Sequence, residues 1–316
     1  MTALQIQRRA LLSGGLACLA LPALAAKLPL DPVTETQGDV TLTTRDLSLR
    51  FLDFYQAARD ADPDARFAIW QERYGFAAVP PTPDGDKIAR RLLDDAWPRY
   101  EAALPVIEAG AAGMTPRPID VAVRVAGALA ARGPLKIGFI AYVGGFETNA
   151  FTNSGPDGPV VAAPIEMDPE ARALILPHEM THAVHALTAG LSRGYERTLG
   201  RVVFEEGLAM RVTQRLQPGR QDYAYVGEKT WFQQAMSRRR QIMAALKPVL
   251  TARDSASVFK FTTGRGATGL EREAYIAGWL AVGRLMEEGA SLPKLARLAE
   301  ADLPAIVGET FSNLNA

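Results

Sequence analysis

The sequence predicts an α+β fold: a mainly helical chain with a small mixed β-sheet packed on one helix. Three observations carry this expectation. Apolar residues recur at helical spacing before residue 112 and again after residue 168. Between them, stretches of β-branched residues are separated by glycines, the pattern of short strands. The third is a count. The 316-residue chain has three histidines, His178, His182 and His185, and all fall on one predicted helix.

Taken in order, residues 1–25 read as an export signal. No acid occurs there, Arg8-Arg9 precedes an apolar run, and Ala23-Leu24-Ala25 fits cleavage before Ala26. The arginine pair followed by Ala10-Leu11-Leu12 resembles a twin-arginine signal, which implies transport by the twin-arginine export machinery. The run is short for a membrane span, so no stable span is expected after cleavage. The expected location is periplasmic or secreted. Lipid attachment at Cys18 is the alternative, but the apolar run before it is very short.

Residues 26–45 carry Pro29 and Pro32 and read as a polar linker. Residues 46–116 form a helical segment. Leu47, Phe51, Phe54 and Tyr55 recur at helical spacing, and Asp62-Pro63 opens a second helix that stops near Gly75. A third runs from about Lys87 to Ala109, disturbed at Pro98 and Pro105. Residues 117–316 form the expected catalytic domain. Alternation of Ile119, Val121, Val123 and Val125 reads as a strand. Leu135 to Val143, apolar on both faces, reads as a central strand, and Val160 to Ile165 as a third. Pro164 lacks a ladder donor, which assigns that third strand to a sheet edge. Asp168-Pro169-Glu170 starts a helix over about 169–189, and helices follow over about 197–216, 228–250, 270–288 and 292–300.

Composition limits the function. Lys+Arg and Asp+Glu are both 35, so no large positive field exists to hold nucleic acid. One cysteine excludes an intrachain disulfide framework and any multi-cysteine metal site.

The histidines carry the chemistry. His178-Glu179-Met180-Thr181-His182 is HExxH. Residues four apart share a helix face, so two neutral imidazoles can reach one zinc ion (Zn2+). Glu179 then lies where it can take a proton from metal-activated water. His185, two turns beyond His178, is about 10 Å along the axis and too far for the same ion, so it reads as a supporting or packing neighbour, with ligation of a second metal the alternative.

A third ligand is needed. HExxHxxGxxH fails, because position 185 is His and position 188 is Thr. Glu206-Gly207-Leu208-Ala209 instead resembles the second motif of gluzincin peptidases such as the aminopeptidase N class. That resemblance implies Glu206 as the ligand, with Glu205 the alternative. Gly207 is expected to let the two metal-bearing helices approach. HExxH, then Glu-Gly-Leu-Ala, then Tyr275-x-x-Gly278 is similar to a group of exported bacterial predicted zinc-dependent proteases, over roughly residues 45–300. It implies a zincin-like fold and peptide hydrolysis, and Tyr275, which matches the late motif, is the candidate to stabilise the oxyanion. Arg272, about one turn earlier on the same predicted helix face, is a candidate to assist it or to bind a carboxylate. Tyr223 and Tyr225 are rivals to Tyr275. Asn149 and Asn153 are candidates to touch substrate. Arg238-Arg239-Arg240 reads as a solvated helix face.

The expected partner is therefore a peptide or protein substrate. The rival reading is a non-hydrolytic zinc-binding periplasmic protein, a chaperone or metal handler, which would tolerate loss of Glu179.

Overall fold

A computed structural model describes residues 31–79, 84–192 and 196–315. The export signal, with Arg8, Arg9, Cys18 and the cleavage site, lies outside the described residues, as does the start of the expected linker. No helix among the described residues is long and apolar enough to cross a membrane.

The chain opens with β1 (Val33–Gln37) and β2 (Val40–Asp46), then α1 (Ser48–Ala57), α2 (Pro63–Arg73), α3 (Gly85–Ala109) and α4 (Pro118–Ala128). β3 (Leu135–Tyr142), β4 (Phe151–Gly155) and β5 (Gly158–Pro164) complete the strands. The helices α5 (Pro169–Ala189), α6 (Leu199–Leu216), α7 (Tyr223–Val226), α8 (Lys229–Ser237) and α9 (Arg239–Leu246) follow. The chain closes with α10 (Ser255–Thr262), α11 (Glu273–Glu287), α12 (Leu292–Leu295) and α13 (Leu303–Asn315). The strands form one mixed sheet in the order β1-β2-β3-β5-β4. β2, β3 and β5 are parallel, and β1 and β4 run antiparallel at the two edges. The mixed sheet packed on the HExxH helix is as expected: α5 lies against β3, β4 and β5.

Three expectations need correction. Residues 33–46 are not a linker but a hairpin, turned at Gly38 with φ 59°. Thr and Val alternate there, and Val40 and Leu42 are buried in the core. Polar threonines on the exposed face hid the strand pattern. Second, Ile119–Val125 is helical. Pro118 sits at the first position of α4, where its missing N–H costs nothing, and Ile119, Ala122, Val125 and Ala126 are buried. Packing of α4 on α5 overrides the β propensity of its valines. Third, β5 is not an edge strand, because it pairs with β3 on one side and β4 on the other. Pro164 is its last residue, and Ile165 N restores the ladder by donating to Tyr142 O at 2.7 Å.

Smaller differences follow from local chemistry. The helix expected over 228–250 breaks at Arg238 into α8 and α9. Pro98, Pro105 and Pro177 all lie inside continuous helices. The core is one contiguous cluster, and Phe51, Phe54, Tyr74 and Tyr100 join the helical segment to the end of β3 within it.

Candidate metal centre

α5 begins at Asp168, whose side chain accepts from the N–H groups of Glu170 and Ala171, and it ends at Gly190 in the left-handed region, φ 61°. One turn apart on this helix, His178 and His182 bring their Nε2 atoms to 3.1 Å. α6 supplies the third group. Glu206 Oε2 stands 3.2 Å from His178 Nε2, and Oε1 stands 3.6 Å from His182 Nε2. His178, His182 and Glu206 thus form a largely buried group that could hold a metal ion. Donors on a tetrahedron with bonds of roughly 2.0–2.2 Å lie about 3.3–3.6 Å apart, close to the spacing of these three. Glu206 Oε2 is buried without an aligned hydrogen-bond donor, as a metal ligand would be.

Glu205 is the wrong carboxylate. It accepts from Arg201 Nε at 2.9 Å and faces Arg197 at 3.3 Å. Arg201 also reaches Glu300 at 2.6 Å and Ser192 Oγ at 2.8 Å. This buried ion network braces α6 from behind. Burial alone would raise the Glu205 pKa, but the two arginines hold it below the usual range. His185 is buried, 6.1 Å from the Phe204 ring, and burial lowers its pKa to about 4 despite Glu205. It packs as a neutral ring.

Glu179 lies beside the three donors and is held by a residue the sequence reading did not select. Thr152 Oγ1, on β4, is within donating distance of both Glu179 Oε2, at 2.8 Å, and the Glu179 carbonyl oxygen, at 2.9 Å. Burial raises the Glu179 pKa to about 7, against the opposing pull of His178 and Thr152. Glu206 goes the other way. Burial would raise it, but His182 and His178 hold it at about 2. Burial lowers His182 to about 4, whereas for His178 the same penalty is outweighed by Glu206 and Glu179, and its pKa rises. The group therefore keeps a carboxylate anion facing imidazoles, and burial shifts Glu179, beside it, towards its protonated form.

Gly207 does not join the two metal-bearing helices. It joins α6 to α11: a Cβ there would meet Gly278 O at 2.2 Å, and a Cβ at Gly278 would meet Val203 O at 2.2 Å. The Glu-Gly and Tyr-x-x-Gly patterns are thus two halves of one backbone contact. It carries Tyr275, buried, one turn before Gly278 to the neighbourhood of Glu206. Burial and then the Glu206 charge push the Tyr275 pKa up, with Arg272 opposing, so its hydroxyl stays protonated. The Arg272 guanidinium lies 4.0 Å over the Tyr275 ring.

The other candidates have structural work. Tyr225 donates to Gln217 O at 2.6 Å and stacks on Trp279. Asn149 donates to Ala78 O at 3.1 Å, and its carbonyl accepts from Tyr142. Asn153 lies in β4, half-buried. Arg238, Arg239 and Arg240 are exposed, as expected, and Arg238 ties down Thr268 O at 2.9 Å. Comparison with protein-family models, curated proteins and solved structures found no match.

Proposed function

We propose that the protein is a zinc-dependent peptide-bond hydrolase of the cell envelope, a gluzincin-type metallopeptidase. The observation that supports this best is Glu179, held beside His178, His182 and Glu206 by the hydroxyl of Thr152. A metal handler needs the three donors but has no use for a separate buried carboxylate held beside them. The envelope location rests on the signal read in residues 1–25.

His178, His182 and Glu206 would hold one zinc ion, and two nitrogens with one carboxylate leave a coordination position open. When bound, zinc supplies a Lewis acid that polarises the scissile carbonyl and acidifies water. Glu179 takes the proton of the attacking water and returns one to the departing amine. Tyr275, neutral and buried, donates to the carbonyl oxygen as that atom gains charge. β4, rather than β5, offers the free edge on which an extended peptide can pair, and Thr152 ties that edge to Glu179.

Purified Glu179→Gln protein should retain zinc and lose peptide turnover by about 100-fold or more, whereas His178→Ala should lose the metal. Metal analysis and digestion of a peptide library check both. Turnover undiminished in Glu179→Gln would refute the hydrolytic assignment.

A further inference from the structure

We infer that Arg272 receives the C-terminal carboxylate of the substrate, so that the hydrolase proposed above acts as a carboxypeptidase. This rests on the hydrolytic reading and adds the substrate class.

Arg272 is held in place at a cost. It is one of a few non-glycine residues with positive φ, at φ 60° and ψ 35°, immediately before α11. Such a backbone persists only where its surroundings over-determine it. They do so here. The fully buried Glu273 carboxylate accepts from Ala267 N at 2.9 Å, Thr268 N at 2.7 Å and Thr268 Oγ1 at 2.6 Å. Gly266 N closes the loop by donating to Leu270 O, and a Cβ at Gly266 would collide with Glu273. Trp231 Nε1 fixes Glu271 O at 2.9 Å, and Arg238 fixes Thr268 O. All of this aims one side chain.

That side chain makes no ion pair among the described residues, and its buried Nε has no hydrogen-bond partner. The guanidinium instead lies on the face of Tyr275, and its charge is felt at His178, Glu206 and Tyr275. Arg272 is half-buried, with its Nε shielded from solvent, and a carboxylate fits such a guanidinium through two parallel hydrogen bonds. Tyr275 already provides a neutral donor for the scissile carbonyl oxygen, which leaves the guanidinium for a group ionised in the ground state.

The test is binding, measured by titration calorimetry on zinc-loaded Glu179→Gln protein, which does not consume the probe. The probes are acetyl-trialanine with a free carboxylate and the same peptide as its C-terminal amide. The acid should bind at least tenfold tighter than the amide. In the Glu179→Gln, Arg272→Met double variant that preference should vanish, with the amide affinity, zinc content and melting temperature unchanged. Methionine keeps an apolar stem on the Tyr275 ring. Equal binding of acid and amide, no binding of the acid, or a preference that survives Arg272→Met overturns the assignment. Equal weakening of both peptides by Arg272→Met also overturns it and points to the carbonyl oxygen instead. Failure of the hydrolytic reading is separate, because it appears in wild-type turnover.

Discussion

Thr152 joins a strand edge to the base through a single hydroxyl, near both the carbonyl and the carboxylate of Glu179. A hydrogen bond to a charged group contributes about 1.5–3 kcal/mol. Thr152→Val keeps the shape and removes the hydroxyl. Turnover should fall about 10- to 100-fold with zinc content unchanged. Unaltered kcat in a steady-state assay would make Thr152 a packing residue only. The residue scale also separates Glu205 from Glu206. Neighbours on a helix point about 100° apart. One carboxylate therefore faces Arg201 and the other faces the histidines. Spacing alone does not distinguish them, since each is a glutamate on the same turn of a buried helix.

At the scale of elements, α6 and α11 approach each other through two glycines. Gly207 and Gly278 let the two backbones touch, and the flanking turns carry Glu206 and Tyr275. Gly207→Ala must push the helices apart, since its Cβ would lie 2.2 Å from a carbonyl oxygen. Overpacking of this kind costs about 1–3 kcal/mol, more when backbone is the obstacle. Thermal denaturation should show the loss, and zinc affinity should weaken because Glu206 precedes the altered residue. A variant as stable as wild type would place the two helices further apart than described. The prolines teach the same lesson. Pro118 opens a helix and Pro164 ends an inner strand, so each meets no missing donor. Read without neighbours, the first looked like part of a strand region and the second like an edge.

Across the whole molecule, the helical segment clamps the loop after β3. Tyr74 donates to Val143 O at 2.9 Å and Tyr100 to Gly144 O at 2.8 Å. From below, the Glu166 carboxylate accepts from Gly144 N at 3.0 Å and Phe146 N at 3.2 Å. Burial raises the Glu166 pKa from 4.5 to about 7, although those amides oppose the shift. An acid with a raised folded pKa favours folding when protonated. Its contribution is present below about pH 4.5 and is lost as pH rises through 7. The window corresponds to about 3 kcal/mol as an upper figure. Relative to Glu166→Gln, wild-type protein should therefore lose stability between pH 5 and pH 8 in urea denaturation. Parallel curves across that range would show that Glu166 is not the titrating group.

The sequence by itself determined what depends on short range. Helical spacing put His178 and His182 on one face, with Glu179 between them, and the Asp168-Pro169 start placed that helix correctly. The central strand Leu135–Tyr142 was legible because it is apolar on both faces. Glu206 was legible only through a motif resemblance. The tertiary structure alone decided that β4, and not β5, is a sheet edge, that Thr152 reaches Glu179, that Glu205 belongs to an arginine network, and that Arg272 Nε has no hydrogen-bond partner among the described residues. The physical reason is range. Helix periodicity is written in neighbours three and four residues apart, whereas strand order and side-chain partnership depend on residues brought together across the chain, from 27 residues apart for Thr152 and Glu179 to 99 for Arg201 and Glu300.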